Sequence, residues 1–242
     1  AAVNVLARQV GAEVTVVDVG VASPVPGALD RNVRRGTADL SLGPAMTLDE
    51  ARAAFEIGRS IADESDAGLL VTGDMGIGNT TPSAALIAAL TGRPAAEVTG
   101  RGTGIDDATL DLKTRIVHDA VARRRTDDPM HVLAEIGGLE IAAIAGFVTG
   151  ARVPVVVDGV IALAGLLVAA SIDPSVLDRV IAGHRSTEPG ATAVLDHLDL
   201  DPLLDLGMRL GEGTGALLAV PIIQAAARLL TEMATLDEVL GT

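Results

Sequence analysis

"VPVVVDGVIALAGLLVAASI", residues 153–172, separates two very different kinds of protein. It is nearly all apolar and long enough to suggest a membrane span. Pro154, Asp158 and Gly159 break the run, and the part before the break is β-branched. A membrane helix tolerates such a charge and breaker poorly. A buried strand, a tight turn and a buried helix explain the stretch better. Strands that read as continuous apolar runs belong to parallel sheets covered on both faces, so the segment predicts an α/β protein.

The pattern repeats outward from there. "EVTVVDVGV" (13–21) reads as a buried strand, and "AGLLVTGDM" (67–75) as a strand entering a glycine turn. "RVIAGH" (179–184) is a further strand. "TLDEARAAFEIGRSIADES" (47–65) is a helix with Thr47 as N-cap and Glu50 completing a capping box. "TTPSAALIAALTG" (80–92) is a helix with Thr81 as cap, Pro82 in its first turn and Gly92 at its end. Helices are also expected over 108–125, 130–151, 160–171 and 190–198, and from Thr214 into the final "TLDEVLGT". "RRGTADLSLGPAM" (34–46) is a loop. Strands separated by helices of ten or more residues imply a parallel, three-layer Rossmann-like sheet flanked by helices, within one domain over 1–242. Right-handed crossovers put the strand C-termini along one edge, where such folds bind ligands.

Composition narrows the function. The chain has 242 residues, 49% apolar, with two Phe and no Trp or Tyr, so the core is aliphatic. The net charge of −14 disfavours nucleic acid and anionic membranes, and scarce aromatics disfavour base stacking. There is no cysteine, and four scattered histidines show no metal-ligand spacing, so neither metal nor cofactor is expected. The first residues carry no basic and apolar signal pattern, and a cytoplasmic setting is expected.

Three glycine-rich turns carry the chemistry. "GDMGIGNTTPSAAL" (73–86) has P-loop spacing at Gly73 and Gly78, but Asn79 stands where the lysine belongs and Asp74 adds an acid. Gly76 and Gly78 let backbone N–H groups approach an anion at a helix start. The alternative is a tight strand-to-helix turn with good caps and no ligand. Asp74 would suit a ribose phosphate, with amides for the phosphate and an acid for sugar hydroxyls or a cationic ring. "GRGTGIDDATLDLK" (100–113) offers a second turn at Gly102 and Gly104, followed by Lys113, the only lysine of the chain. Lys113 is either a solvated surface cation or the ammonium that the first loop lacks. In "MRLGEGTGALLAVPII" (208–223), Glu212 is either an acid favourably placed at a helix N-terminus or a general base. Met208 and Leu210 supply its apolar surroundings. Asp158 and Ser186 lie on the same expected sheet edge.

These motifs, with "EIGGLEIAAIAGFVTGA", "PVVVDGV" and "HRSTEPG" in the same order, resemble the nicotinate-nucleotide–dimethylbenzimidazole phosphoribosyltransferase family along nearly the whole chain. The resemblance implies a mostly parallel α/β core with a smaller helical part, a homodimer, and transfer of phosphoribosyl from nicotinate mononucleotide to dimethylbenzimidazole. It puts the catalytic glutamate on Glu212 and the phosphate contacts on Gly76, Gly78, Gly102, Gly104 and Lys113. Sugar or substrate contacts fall on Asp74, Asp158 and Ser186, and the base pocket on Met208 and Leu210. Two departures stand out. Asp74 replaces a residue that is often Glu in the family. The family also carries a further N-terminal stretch that is not present here, so the chain is expected to be a fragment of the family fold. Rival readings are a non-catalytic nucleotide-binding module, an inactive fragment, or a P-loop triphosphatase that Asn79 makes poor.

Overall fold

The structure, a computed structural model, describes residues 1–240. Helix α1 (Ala2–Val10) leads into a short parallel ladder of β1 (Val17–Asp18) and β2 (Leu29–Asp30). Then come α2 (Leu48–Asp63), β3 (Leu70–Val71), α3 (Thr80–Thr91), α4 (Ala95–Val98), α5 (Asp107–Arg123), α6 (Pro129–Ile136) and α7 (Leu139–Gly150). The second half runs β4 (Val155–Val157), α8 (Val160–Ile172), a 3-10 turn at Pro174–Arg179, β5 (Val180–Ala182), α9 (Pro189–His197), α10 (Thr214–Glu232) and α11 (Leu236–Leu240). The main sheet has the order β3-β4-β5, all parallel.

Alternation along β4 builds the layers. Val155 and Val157 join the large core formed with α3, α7 and α8, whereas Val156 faces the other way onto Ala216 and Ala219 of α10. Helix α1 covers α10 in turn, through Ala7 against Leu217 and Val220. The 153–172 stretch is therefore β4, a turn and α8, with the helix buried along almost its whole length. Among the described residues α10 alone is long and apolar enough, by length and composition, to cross a membrane. Its first half packs on the sheet and its second half is exposed.

Local signals placed most helices. Thr47 and Glu50 form the reciprocal capping box, and Gly92 ends α3 in the left-handed region. Other expectations need correction. The strand at 13–21 shortens to two residues because Val14 and Val16 turn outward to solvent. Asn79, not Thr81, is the N-cap of α3, and its side chain is engaged elsewhere. The Gly137–Gly138 pair splits 130–151 into α6 and α7, with both glycines extended. The last helix stops at Glu232 before α11, and its expected end at 241–242 lies outside the described residues. Helix α1 was not anticipated.

Helices α2 and α7 approach closely enough to need glycine at the contact. A Cβ on Gly146 would lie 1.8 Å from the Phe55 carbonyl oxygen, and one on Gly58 1.8 Å from that of Ala143. Backbone cannot yield as a flexible side chain can, so even one methyl group must part the two helices. Gly146→Ala is expected to lower stability by about 2 kcal/mol or more, read by thermal or denaturant unfolding. An unchanged midpoint would show that the helix pair is looser than this.

Candidate active site

The C-terminal ends of β3, β4 and β5 release three loops on one edge of the sheet, and the N-terminus of α10 is pressed against them. The turn before α10 carries Gly211, Glu212 and Gly213, all at positive φ. Glu212 is at φ 61°, a left-handed conformation that a side-chain-bearing residue adopts only when its surroundings enforce it. Its own N–H donates to the Asp74 carbonyl oxygen at 3.1 Å. The next N–H, that of Gly213, donates to Asp158 Oδ2 at 3.0 Å. The turn can sit on the end of β3 because Gly73 has no side chain: a Cβ there would meet Gly213 N at 2.7 Å. Glu212 Oε2 in turn accepts from Val3 N–H, in the first turn of α1, at 3.5 Å.

Asp74 lies beside this turn. Its Oδ2 accepts from the Asn79 side-chain amide at 2.5 Å. The residue at the P-loop lysine position is thus occupied with the neighbouring acid. Gly76 and Gly78 lie between these two, and Met75 and Ile77 are exposed at the loop tip. Six residues after Asp74, Thr80 Oγ1 accepts from Lys113 Nζ at 2.8 Å. The same ammonium donates to the Gly100 carbonyl at 2.8 Å, and Lys113 is 8% exposed. It is not a solvated surface cation. Gly102 stands over this pair, since a Cβ there would be 3.1 Å from Thr80 Oγ1 and 3.9 Å from Nζ. Gly104 completes the turn at φ 110°.

The loop after β5 closes the circuit. Glu188 is buried against Gly100, where a Cβ would meet its Oε2 at 1.9 Å. Ser186, also buried, accepts weakly from Glu188 N–H at 3.4 Å. Thr187 N–H donates to the Met208 carbonyl at 3.1 Å, which leads back to Glu212. Met208 is half-buried and Leu210 is 61% exposed beside the turn. A cavity of about 340 Å³ opens on this circuit, lined by Thr99, Gly100, Arg101, Glu188 and Arg209 among others. The loop and turn residues singled out from sequence therefore gather at one sheet edge. Among the described residues no cluster of His, Asp and Glu suits a metal ion.

The two ends of this region differ in charge. Burial lowers the pKa of Lys113, and the Glu188 carboxylate opposes that shift. At the other end, burial pushes Asp74 up to about 6, with Asp158 adding to the rise and Asn79 opposing it. Burial pushes Glu140, in the first turn of α7, up to about 7, helped by Asp74. Glu140 was missed in the sequence, although it is the one charge in the otherwise apolar "LEIAAIAGFVTG". Thr80 is visible in the sequence at the Ser/Thr position of the P-loop pattern, but its contact with Lys113 is not; Glu188 and Arg209 were missed, because only tertiary contacts reveal them.

Raised carboxyl pKa values have a definite sign in stability. The folded state holds protons that the unfolded chain has released, so stability falls as pH climbs from about 4 through about 7. Glu140→Gln is expected to stabilise the protein by about 2 kcal/mol at pH 8 and to do almost nothing at pH 4.5. Unfolding midpoints at the two pH values check this. An equal effect at both would mean that Glu140 does not hold its proton in the folded state.

Comparison with known proteins agrees with the geometry. A protein-family model described as Phosphoribosyltransferase matches residues 1–239. The nicotinate-nucleotide–dimethylbenzimidazole phosphoribosyltransferase of Salinispora tropica is 53% identical over 98% of this chain and 72% of its own length. That of Chloroflexus aggregans is 54% identical over 98% of this chain and 70% of its own. The crystal structure of CobT from Thermus thermophilus superposes with a TM-score of 0.95 at 47% identity, covering 99% of this chain and 74% of that one. The chain thus spans a little under three quarters of the length of these relatives, and it belongs to the nicotinate-nucleotide–dimethylbenzimidazole phosphoribosyltransferase family.

Proposed function

We propose that this chain transfers the phosphoribosyl group of nicotinate mononucleotide to dimethylbenzimidazole, giving α-ribazole phosphate and nicotinate, in assembly of the cobalamin lower ligand. The observation that carries this is the circuit from Lys113 to Thr80, through the adjacent Asn79 to Asp74, and on to Glu212. It puts a buried cation, with the Glu188 carboxylate beside it, at one end of a single site and Asp74 and Glu212 at the other. A nucleotide with a phosphate at one end and a cationic ring on C1′ has the matching polarity.

In this reading Lys113 and the amides of the Gly76–Gly78 and Gly102–Gly104 turns hold the 5′-phosphate. Asp74 and Ser186 face the sugar side, and Met208 and Leu210 flank the incoming base. The C1′–N bond breaks with its electron pair going to the ring nitrogen, so nicotinate leaves with a neutral ring. Positive charge grows at C1′ meanwhile. One benzimidazole nitrogen attacks C1′ from the opposite face, and Glu212 takes the proton from the other nitrogen. Inversion converts the β to the α configuration. The leaving group enters already activated, and the step needs no cofactor. A homodimer and a cytoplasmic location fit a small-molecule transferase of this kind.

Chromatographic detection of α-ribazole phosphate from the purified protein tests the function, and its absence with both substrates present would refute it. Glu212→Gln is expected to lower kcat by about 100-fold or more with nicotinate mononucleotide binding nearly unchanged. Wild-type turnover in that variant would remove Glu212 from the role of base. Lys113→Ala is expected to raise KM for nicotinate mononucleotide by about tenfold or more, because it deletes the buried cation next to the phosphate turns. A pure binding module would take up the nucleotide in calorimetry and release no nicotinate when benzimidazole is added.

A further inference from the structure

Asp158 follows the last residue of the central strand β4 and is 2% exposed. Both of its carboxylate oxygens are engaged. Oδ2 accepts from Gly213 N–H at 3.0 Å, and Oδ1 accepts from Gly215 and Ala216 N–H at 2.9 and 3.1 Å. His184 closes the remaining side: its Nδ1 lies 3.5 Å from Oδ1 and has no hydrogen bond of its own. A carboxylate offers about four lone-pair positions. Three are taken by amides of the α10 start, and the His184 ring stands over Oδ1. Gly215 is needed for this packing, since a Cβ there would be 2.0 Å from His184 Nδ1.

The main chain of Asp158 is anchored as well. Asp158 N–H donates to Thr72 Oγ1 at 3.2 Å, and Thr72 N–H donates to the Val156 carbonyl at 3.0 Å. What the carboxylate holds in place is the peptide that follows Glu212. With φ at 61°, Glu212 is kept left-handed by its own N–H on the Asp74 carbonyl and by the next N–H on Asp158. If the second contact is removed, that peptide is free to rotate and the Glu212 carboxylate loses its direction.

We infer that Asp158 is a positioning residue for Glu212, acting through the Gly213, Gly215 and Ala216 amides and making no contact with the sugar. This rests on the reading of Glu212 as the base. Asp158→Asn keeps the shape but turns an NH₂ group toward a backbone N–H. With nicotinate mononucleotide and dimethylbenzimidazole, kcat is expected to fall about 30-fold or more while KM for the nucleotide moves less than about threefold. Placed in a Glu212→Gln background, the same change is expected to cost almost nothing further. A direct sugar contact predicts the opposite on both counts, a large rise in KM and an independent loss in the double variant. A merely structural role predicts a lower melting temperature with unchanged turnover per folded molecule. Either result overturns the inference.

A measurement on the wild-type protein covers the case in which the variant fails to fold. Hydrogen exchange of the Gly213, Gly215 and Ala216 amides is expected to stay slow when nicotinate mononucleotide is added. Faster exchange on binding would mean that Asp158 has left them for the ligand, which refutes the proposal. Should wild type yield no α-ribazole phosphate, the proposed function fails, and this exchange comparison still decides the partner of Asp158.

Discussion

One buried carboxylate at the end of the central strand accepts three backbone amides from the start of α10. Burying a charge is costly unless it is fully hydrogen-bonded. Here a helix N-terminus supplies both the donors and the positive end of its dipole, so Asp158 and α10 satisfy each other. The helix cannot slide along the sheet without stranding the charge, and the strand end cannot move without uncapping the helix. Two layers of the fold are thereby locked at the edge where the three loops emerge. Val156 against Ala216 and Ala219 supplies the apolar half of the same joint.

On the proposed reading a chain with a net charge of −14 holds a phosphate, against its overall charge. The structure concentrates what positive potential it has. Lys113 is buried, tied to Thr80 and Gly100, and its ammonium faces the Glu188 carboxylate, which favours the charged form against desolvation. Arg101 and Arg209 line the adjoining cavity. Backbone N–H groups in glycine turns add donors without adding net charge. Asp74, Glu140 and Glu212 are kept at the far end, where on the proposed reading a cationic ring and a developing C1′ cation would sit. Such a site sorts charge along its length and has no need of a basic protein around it.

How much of this the sequence shows depends on the range of the signal. Long helices with local caps are legible: Thr47, Glu50 and Gly92 act within a few residues of themselves. Glycine turns after apolar runs mark the sheet edge, and the lone Lys113 was visible for its rarity. Signals that reverse on a neighbour are less legible. Gly137 and Gly138 break a run whose apolar character reads as one helix, and the β-branched 13–21 run is a loop with two paired residues because no second layer covers it. Long-range partnerships were hidden altogether. Asp158 is 55 to 58 residues from the amides that it caps, and Glu188 is far along the chain from Gly100.

The likeness to a P-loop in "GDMGIGNTT" also has a physical resolution. In a P-loop the lysine follows the second glycine and folds back over the phosphates. Here Asn79 at that position bonds to Asp74, and the ammonium arrives from α5 instead, meeting Thr80 on the far side of the turn. Gly102 helps that route, because a Cβ there would press on Thr80 Oγ1, the acceptor that Lys113 meets, at 3.1 Å. Moving the cation from the loop to a second helix frees the loop to carry an acid. It also separates the two by the length of the turn, so Asp74 and Lys113 need not neutralise each other. On the proposed reading that separation is what the substrate requires: a phosphodianion and a cationic centre on one sugar, each meeting its own counter-charge.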